Sequence, residues 1–172
     1  MILALERAIN RVSEWAGRAA MLVVIPLVLA LSYEVISRHF LGAPTSWAYE
    51  MSYFLTGTIL MLGLSFALRH KQHVNVDVLH AQLSRRTRNV INLIGYLILL
   101  VICVPLTIHI SRYALHAFVT GETSGNSAWN PVIWPFRAIW TIGLSLFCLQ
   151  LLAEVIRCVA GLSQAEEVDA RE

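Results

Sequence analysis

Charge is scarce in this sequence: acidic and basic side chains make up 14% of its 172 residues, where a soluble domain carries about a quarter. Hydrophobic residues make up 57%, and the mean hydropathy is +0.64. A water-soluble fold is excluded on those grounds and a membrane protein is indicated. The net charge of +2 gives no footprint for nucleic acid. Cysteine is also sparse. Cys103, Cys148 and Cys158 all fall in apolar stretches, where a thiol acts as a small hydrophobe, so neither a disulfide framework nor a membrane thiol oxidoreductase is indicated. None of the six histidines sits at the centre of an apolar run, which excludes a four-helix cytochrome with haem-ligating histidines. No cofactor, metal or enzymatic activity is expected.

What the sequence has is long apolar runs. About 20 such residues cross a hydrocarbon core of about 30 Å, and four stretches qualify, at about 19–38, 47–68, 85–116 and 134–159. The expected fold is an all-α integral membrane protein of four transmembrane helices, with a membrane domain over 19–160 and a tail over 161–172. Residues 1–18 alternate apolar positions with Glu6, Arg7, Arg11, Glu14 and Arg18, the pattern of an amphipathic helix lying on the membrane and leading into the first span. A cleaved signal peptide fits less well, because the charged lead-in is long, no Ala-x-Ala-like site follows and more spans do. Residues 74–83 are too short and polar to span and are expected as a brief interfacial helix, with Asp77 as its N-cap. Ser46 is expected to cap a helix opening at Trp47, and Ser84 to cap the third span.

Topology follows from the basic residues. With the N-terminus inside, ten of them (Arg7, Arg11, Arg18, Arg69, Lys71, Arg85, Arg86, Arg88, Arg157, Arg171) are cytoplasmic and three (Arg38, Arg112, Arg137) are outside. The positive-inside rule then places both termini in the cytoplasm. The five tryptophans fall near span ends, as an aromatic belt requires.

Ionisable groups in a membrane need a partner or a route to water. Glu34 and Arg38 are four apart on one helix face, and a short turn returns Glu50 to the same depth, so Arg38 can pair with either carboxylate. The set reads as a clamp between the first two spans, as a docking point for another subunit, or as side chains snorkelling at the interface. Trp47 reads as an interfacial anchor. Gly57, Gly63 and Ala67 offer places for close helix approach. His70, His73, Asp77 and His80 would share one face of a helix as metal ligands, but Val74, Val76 and Val78 argue against uninterrupted helix there. His109, Arg112 and His116 share a face at the far end of the third span and read chiefly as a solvated helix end. Gln150, Glu154 and Arg157 form a polar seam toward a helix of this chain or of a partner, with Glu154 and Arg157 able to neutralise each other.

Taken in order, Tyr33-Glu34-Val35-Ile36-Ser37-Arg38-His39-Phe40, Ser46-Trp47-Ala48-Tyr49-Glu50, Gly63, and Arg69-His70-Lys71-Gln72-His73-Val74-Asn75-Val76-Asp77 resemble the small, DctQ-type membrane subunit of the tripartite ATP-independent periplasmic (TRAP) transporters. The resemblance covers roughly residues 19–160. It implies a bacterial inner-membrane location and two protein partners besides membrane lipids: a large TRAP membrane subunit that binds substrate and sodium, and a periplasmic solute-binding protein. It implies the role of a static brace beside a moving transport domain. The competing reading is a small independent four-span exporter acting as a homo-oligomer. Such a protein normally keeps a charge near mid-membrane, whereas here the deepest, Glu34 and Glu154, lie near span ends.

Overall fold

The computed structural model describes residues 2–70 and 85–169, with side chains described for 7–70, 87 and 89–160. Four helices account for nearly all of it: α1 (Ile2–Phe40), α2 (Ala48–Arg69), α3 (Arg85–Thr120) and α4 (Trp134–Asp169). Each contains a stretch long and apolar enough to cross a membrane. Among the described residues the only extended pairing is the isolated antiparallel bridge between Thr123 and Val132. The brief helix expected over 74–83, the cap Ser84, and the candidates His73, Asp77 and His80 lie outside the described residues.

At 1.5 Å per residue the 22 residues of α2 measure about 33 Å, close to one bilayer core. The other three helices are longer by half or more and must project beyond it. The stretch 2–18, expected as an amphipathic helix leading into the first span, continues into that span without a break. It is the first half of a continuous 39-residue α1, and Ser13, Ala16 and Ala20 are buried against the bundle. Continuity costs little here, since no glycine pair or proline interrupts residues 9–25 and the one proline, Pro26, lies deeper where a membrane helix tolerates it.

Neighbouring helices run antiparallel, so the 41–47 and 121–133 connections share one end of the bundle, the hairpin end. The dominant packing pairs are α1 with α2, α2 with α4, and α4 with α3. Helix α4 is therefore the centre of the fold: 44% of its apolar span is buried, against 6% for α3 and 11% for α1. One core cluster joins Leu68, Cys103, Leu144, Phe147, Cys148 and Leu151, and a second joins Phe54, Ala117 and Ile133 near the hairpin end.

Small residues set the helix spacing, at Gly57 as expected and also at Gly17 and Gly143. A Cβ on Gly143 would stand 2.6 Å from the Met61 carbonyl oxygen, so α4 and α2 touch backbone to backbone there. Gly57 admits the Trp140 ring and Gly17 the Phe66 ring in the same way. Gly63 faces open space within this chain.

Candidate functional site

Two polar assemblies close the two ends of the bundle. At the hairpin end α1 stops where Gly42 takes a left-handed φ of 63°, a conformation open to glycine without steric cost. The chain doubles back, the Ala43 N–H bonds the Ser37 carbonyl at 3.1 Å, and the Ser37 hydroxyl donates to the Ala43 carbonyl at 2.5 Å. That reversal brings Thr45 under Glu34. Arg38 donates to Glu34 Oε1 through Nε (2.9 Å) and a terminal nitrogen (2.5 Å), while Glu34 Oε2 accepts the Thr45 N–H at 2.9 Å and the Thr45 hydroxyl.

Burial separates the roles within this clasp. The Glu34 side chain is 11% exposed and Arg38 is 67% exposed, so the carboxylate holds the turn while the guanidinium reaches outward, as a snorkelling arginine does. Tyr33 stacks on Trp47 with centroids 5.9 Å apart across the same turn. The cap expected from Ser46 is not formed. Helix α2 begins at Ala48, with Trp47 at the cap position making no side-chain bond. Thr45 Oγ1 takes the capping place instead, 3.4 Å from the Ala48 N–H.

Glu50 does not join Arg38. It is 2% exposed in the first turn of α2, and its Oε1 accepts the Ser124 hydroxyl at 2.6 Å from the α3–α4 connection. That connection is locally fixed. Gly121, at φ 63°, ends α3 in a Schellman turn with the Glu122 N–H bonded to the Ala117 carbonyl. Asn130 bonds the Gly125 N–H at 2.8 Å, and Arg137 grips both Glu122 oxygens at 2.8 and 3.4 Å while lying over Tyr113. His116 stands 4.0 Å from Glu122, and His109 packs edge-on against Tyr113. Between Glu50 and this connection lies a cavity of about 430 Å³, walled also by Tyr53, Phe54, Asn126 and Trp140. Glu50 Oε2 and the Trp140 indole N–H are both buried without a hydrogen-bond partner.

At the opposite end the seam expected on α4 closes on α1. Gln150 accepts the Ser13 hydroxyl at 3.0 Å and donates to Asn10 at 3.1 Å, with both Gln150 and Ser13 fully buried. Arg69, at the end of α2, donates to the Asn10 carbonyl (2.6 Å) and to Glu14 (2.7 Å). Glu154 is buried and bonded by Arg157 at 2.8 Å. His70, the one described member of the histidine set, packs on Phe66 with Nε2 3.9 Å from Glu14. Asn10, Ser13, Thr45, Ser124 and the Glu122–Arg137 pair were not singled out from the sequence. Asn10 and Ser13, three apart, share a helix face that periodicity exposes, whereas nothing local marks Ser124.

Between the two ends the helices are neutral: no Asp, Glu, Lys, Arg or His occurs in 19–33, 51–68, 89–108 or 138–149. The chain is thus a bundle closed by polar contacts at each end, with a polar cavity at the hairpin end.

Comparison with known proteins identifies the family of this chain. The family model for the DctQ component of the tripartite ATP-independent periplasmic transporters matches residues 27–161. The sialic acid TRAP transporter permease protein SiaT of Haemophilus influenzae (strain 86-028NP) is 27% identical over 157 residues. That match covers 90% of this chain and 24% of the relative, so the chain spans about a quarter of that protein's length. No solved structure matches. With most of its membrane domain matched by the family model, and with four apolar helices of spanning length, the chain belongs to the DctQ family of TRAP transporter components.

Proposed function

We propose that this chain is the small permease subunit of a TRAP-type secondary transporter in the bacterial inner membrane. It braces a large membrane subunit during sodium-coupled uptake of a solute that a periplasmic binding protein delivers. Both termini are cytoplasmic in this reading, which the ten-to-three distribution of basic residues supports.

The observation that carries the proposal is where the ionisable groups lie. A pathway for ions or polar solutes is lined by polar side chains at membrane depth. Here the acidic, basic and histidine side chains gather at the two ends, and Glu34, Glu14 and Glu154 are each held by a cation of the same chain. The middle of all four helices lacks such groups. Meanwhile α1 and α3 turn apolar side chains outward, among them Leu22, Ile25 and Leu29 on one and Ile98, Val101 and Ile102 on the other. That is the surface of a rigid wedge to be covered by lipid and a larger protein. The relative supports the division of labour, since a protein described as a permease has three quarters of its length outside the part matched here.

The test is co-purification. The tagged chain, extracted in mild detergent, is expected to bring down a large polytopic membrane protein, and the pair with a binding protein is expected to take up solute into vesicles across an inward sodium gradient. A lone homo-oligomer that transports after reconstitution would overturn the proposal and restore the exporter reading.

A further inference from the structure

The cavity at the hairpin end is built to hold something. Its volume of about 430 Å³ exceeds by an order of magnitude the roughly 30 Å³ of one water. Two residues in its wall keep a buried polar atom unpaired, Glu50 as an acceptor and Trp140 as a donor. A buried carboxylate oxygen with no partner is costly unless a ligand completes it. Arg137, the one Lys or Arg among the residues lining the cavity, is bonded to Glu122, and Glu50 Oε2 has no hydrogen-bond partner. Around Glu50 stand the rings of Tyr53, Phe54 and Trp140, whose faces favour a cation.

A second feature identifies the occupant. The cavity shares Tyr49, Tyr53 and Trp140 with an apolar groove that continues down α2 past Gly57 to Leu60 and Met61. From Tyr49 to Met61 the helix rises about 18 Å, against about 15 Å for the hydrocarbon layer of one leaflet. Trp47, Trp129 and Trp134 lie at the same end, the depth at which headgroups sit. Polar cavity and apolar groove are therefore arranged as a headgroup site over an acyl-chain site.

We propose that this cavity and groove bind one aminophospholipid, phosphatidylethanolamine, with its ammonium on Glu50 and one acyl chain along α2. The primary ammonium donates to the free Glu50 oxygen, and the Trp140 N–H donates to a phosphate oxygen. Phosphatidylcholine has no N–H for Glu50, and phosphatidylglycerol has no cation. Selectivity for the amine headgroup is thus a property of Glu50, and general lipid occupancy a property of the groove.

Native mass spectrometry of the full-length chain, delipidated and titrated with each of the three lipids, tests this. Phosphatidylethanolamine is expected to bind about tenfold more tightly than the other two, the size of one charge-assisted bond. Glu50→Gln keeps an acceptor for Ser124 and is expected to erase that preference. Should that variant fail to fold, Thr56→Trp fills the groove away from Glu50 and is expected to lower retention of phosphatidylethanolamine without altering the Glu50–Ser124 bond. Equal retention of all three lipids by the unaltered chain, or an unchanged preference in Glu50→Gln, would overturn the proposal. So would undiminished binding in Thr56→Trp.

Discussion

Gly143→Ala, paired with Gly63→Ala, is a sharp perturbation because the two substitutions add the same atom to helices at two different places. At Gly143 the new Cβ meets backbone, 2.6 Å from the Met61 carbonyl oxygen and 3.0 Å from the Leu62 nitrogen. Ordinary contact begins at 3.4 Å, so α2 and α4 must part by roughly 0.8 Å, and neither partner is a side chain that can swing aside. Because α4 is the central helix, the separation is felt at Leu144 and Phe147 beside it. Overpacking of this kind costs about 1–3 kcal/mol. At Gly63 the Cβ enters open space and costs nothing. The gain in helix propensity, about 1 kcal/mol for Gly to Ala, applies at both sites and cancels in the comparison. The expected difference between the two variants is thus about 1–3 kcal/mol, a factor of roughly 5 to 150 in the folded-to-unfolded ratio. Unfolding of the isolated chain in mixed micelles, titrated with a denaturing detergent, measures it. Gly57→Ala should fall between the two, since its contact is with the Trp140 ring, which can shift. Equal midpoints for Gly143→Ala and Gly63→Ala would refute the backbone-to-backbone contact between α2 and α4.

The clasp at the turn ranks three further substitutions. Glu34→Ala should destabilise most. Thr45→Val should lose about 1.5–3 kcal/mol with the bond to a charged group, and the exposed Arg38→Ala about 0–1 kcal/mol; thermal midpoints in detergent that reverse this order would contradict the assignment of Glu34 as the hub. Gln150→Leu strands Ser13 and Asn10 and should cost about 1 kcal/mol for each bond lost, whereas Ser13→Ala alone should cost about half as much; the same unfolding titration distinguishes them. Gly63→Phe should leave the isolated chain within about 0.5 kcal/mol of its starting stability and lower recovery of the large partner, read as the ratio of the two subunits after affinity capture.

Several features of this site are visible from residue spacing. Glu34 and Arg38 pair because four residues are one turn of helix, and Glu154 with Arg157 follows from the same periodicity. The alternative partner offered to Arg38 fails for a reason outside any local pattern. Glu50 faces the α3–α4 connection, where Ser124, 74 residues further along, takes its first oxygen. The same limit explains the cap at Ala48. Ser46 and Thr45 are equally suited by composition, but only Thr45 is carried beneath Glu34 by the turn at Gly42. Glycines show it again: spacing cannot say which of Gly57, Gly63 and Gly143 meets a neighbour, because that depends on how the helices are rotated about their own axes.

By itself the sequence determined that this protein lives in a membrane, that it crosses in four helices, and that its charges lie at the ends of those helices. Run length and helical periodicity are local quantities, and the bilayer imposes them on each segment separately. Tertiary structure alone decided that α4 is the centre, that Gln150 closes on α1 rather than on another protein, and that Glu50 and Trp140 enclose a cavity with an unpaired acceptor and donor. Those outcomes join residues far apart in the chain. In a medium as apolar as the side chains themselves, the pairing of helices is set by close packing and a few polar bonds, which no stretch of sequence read alone contains.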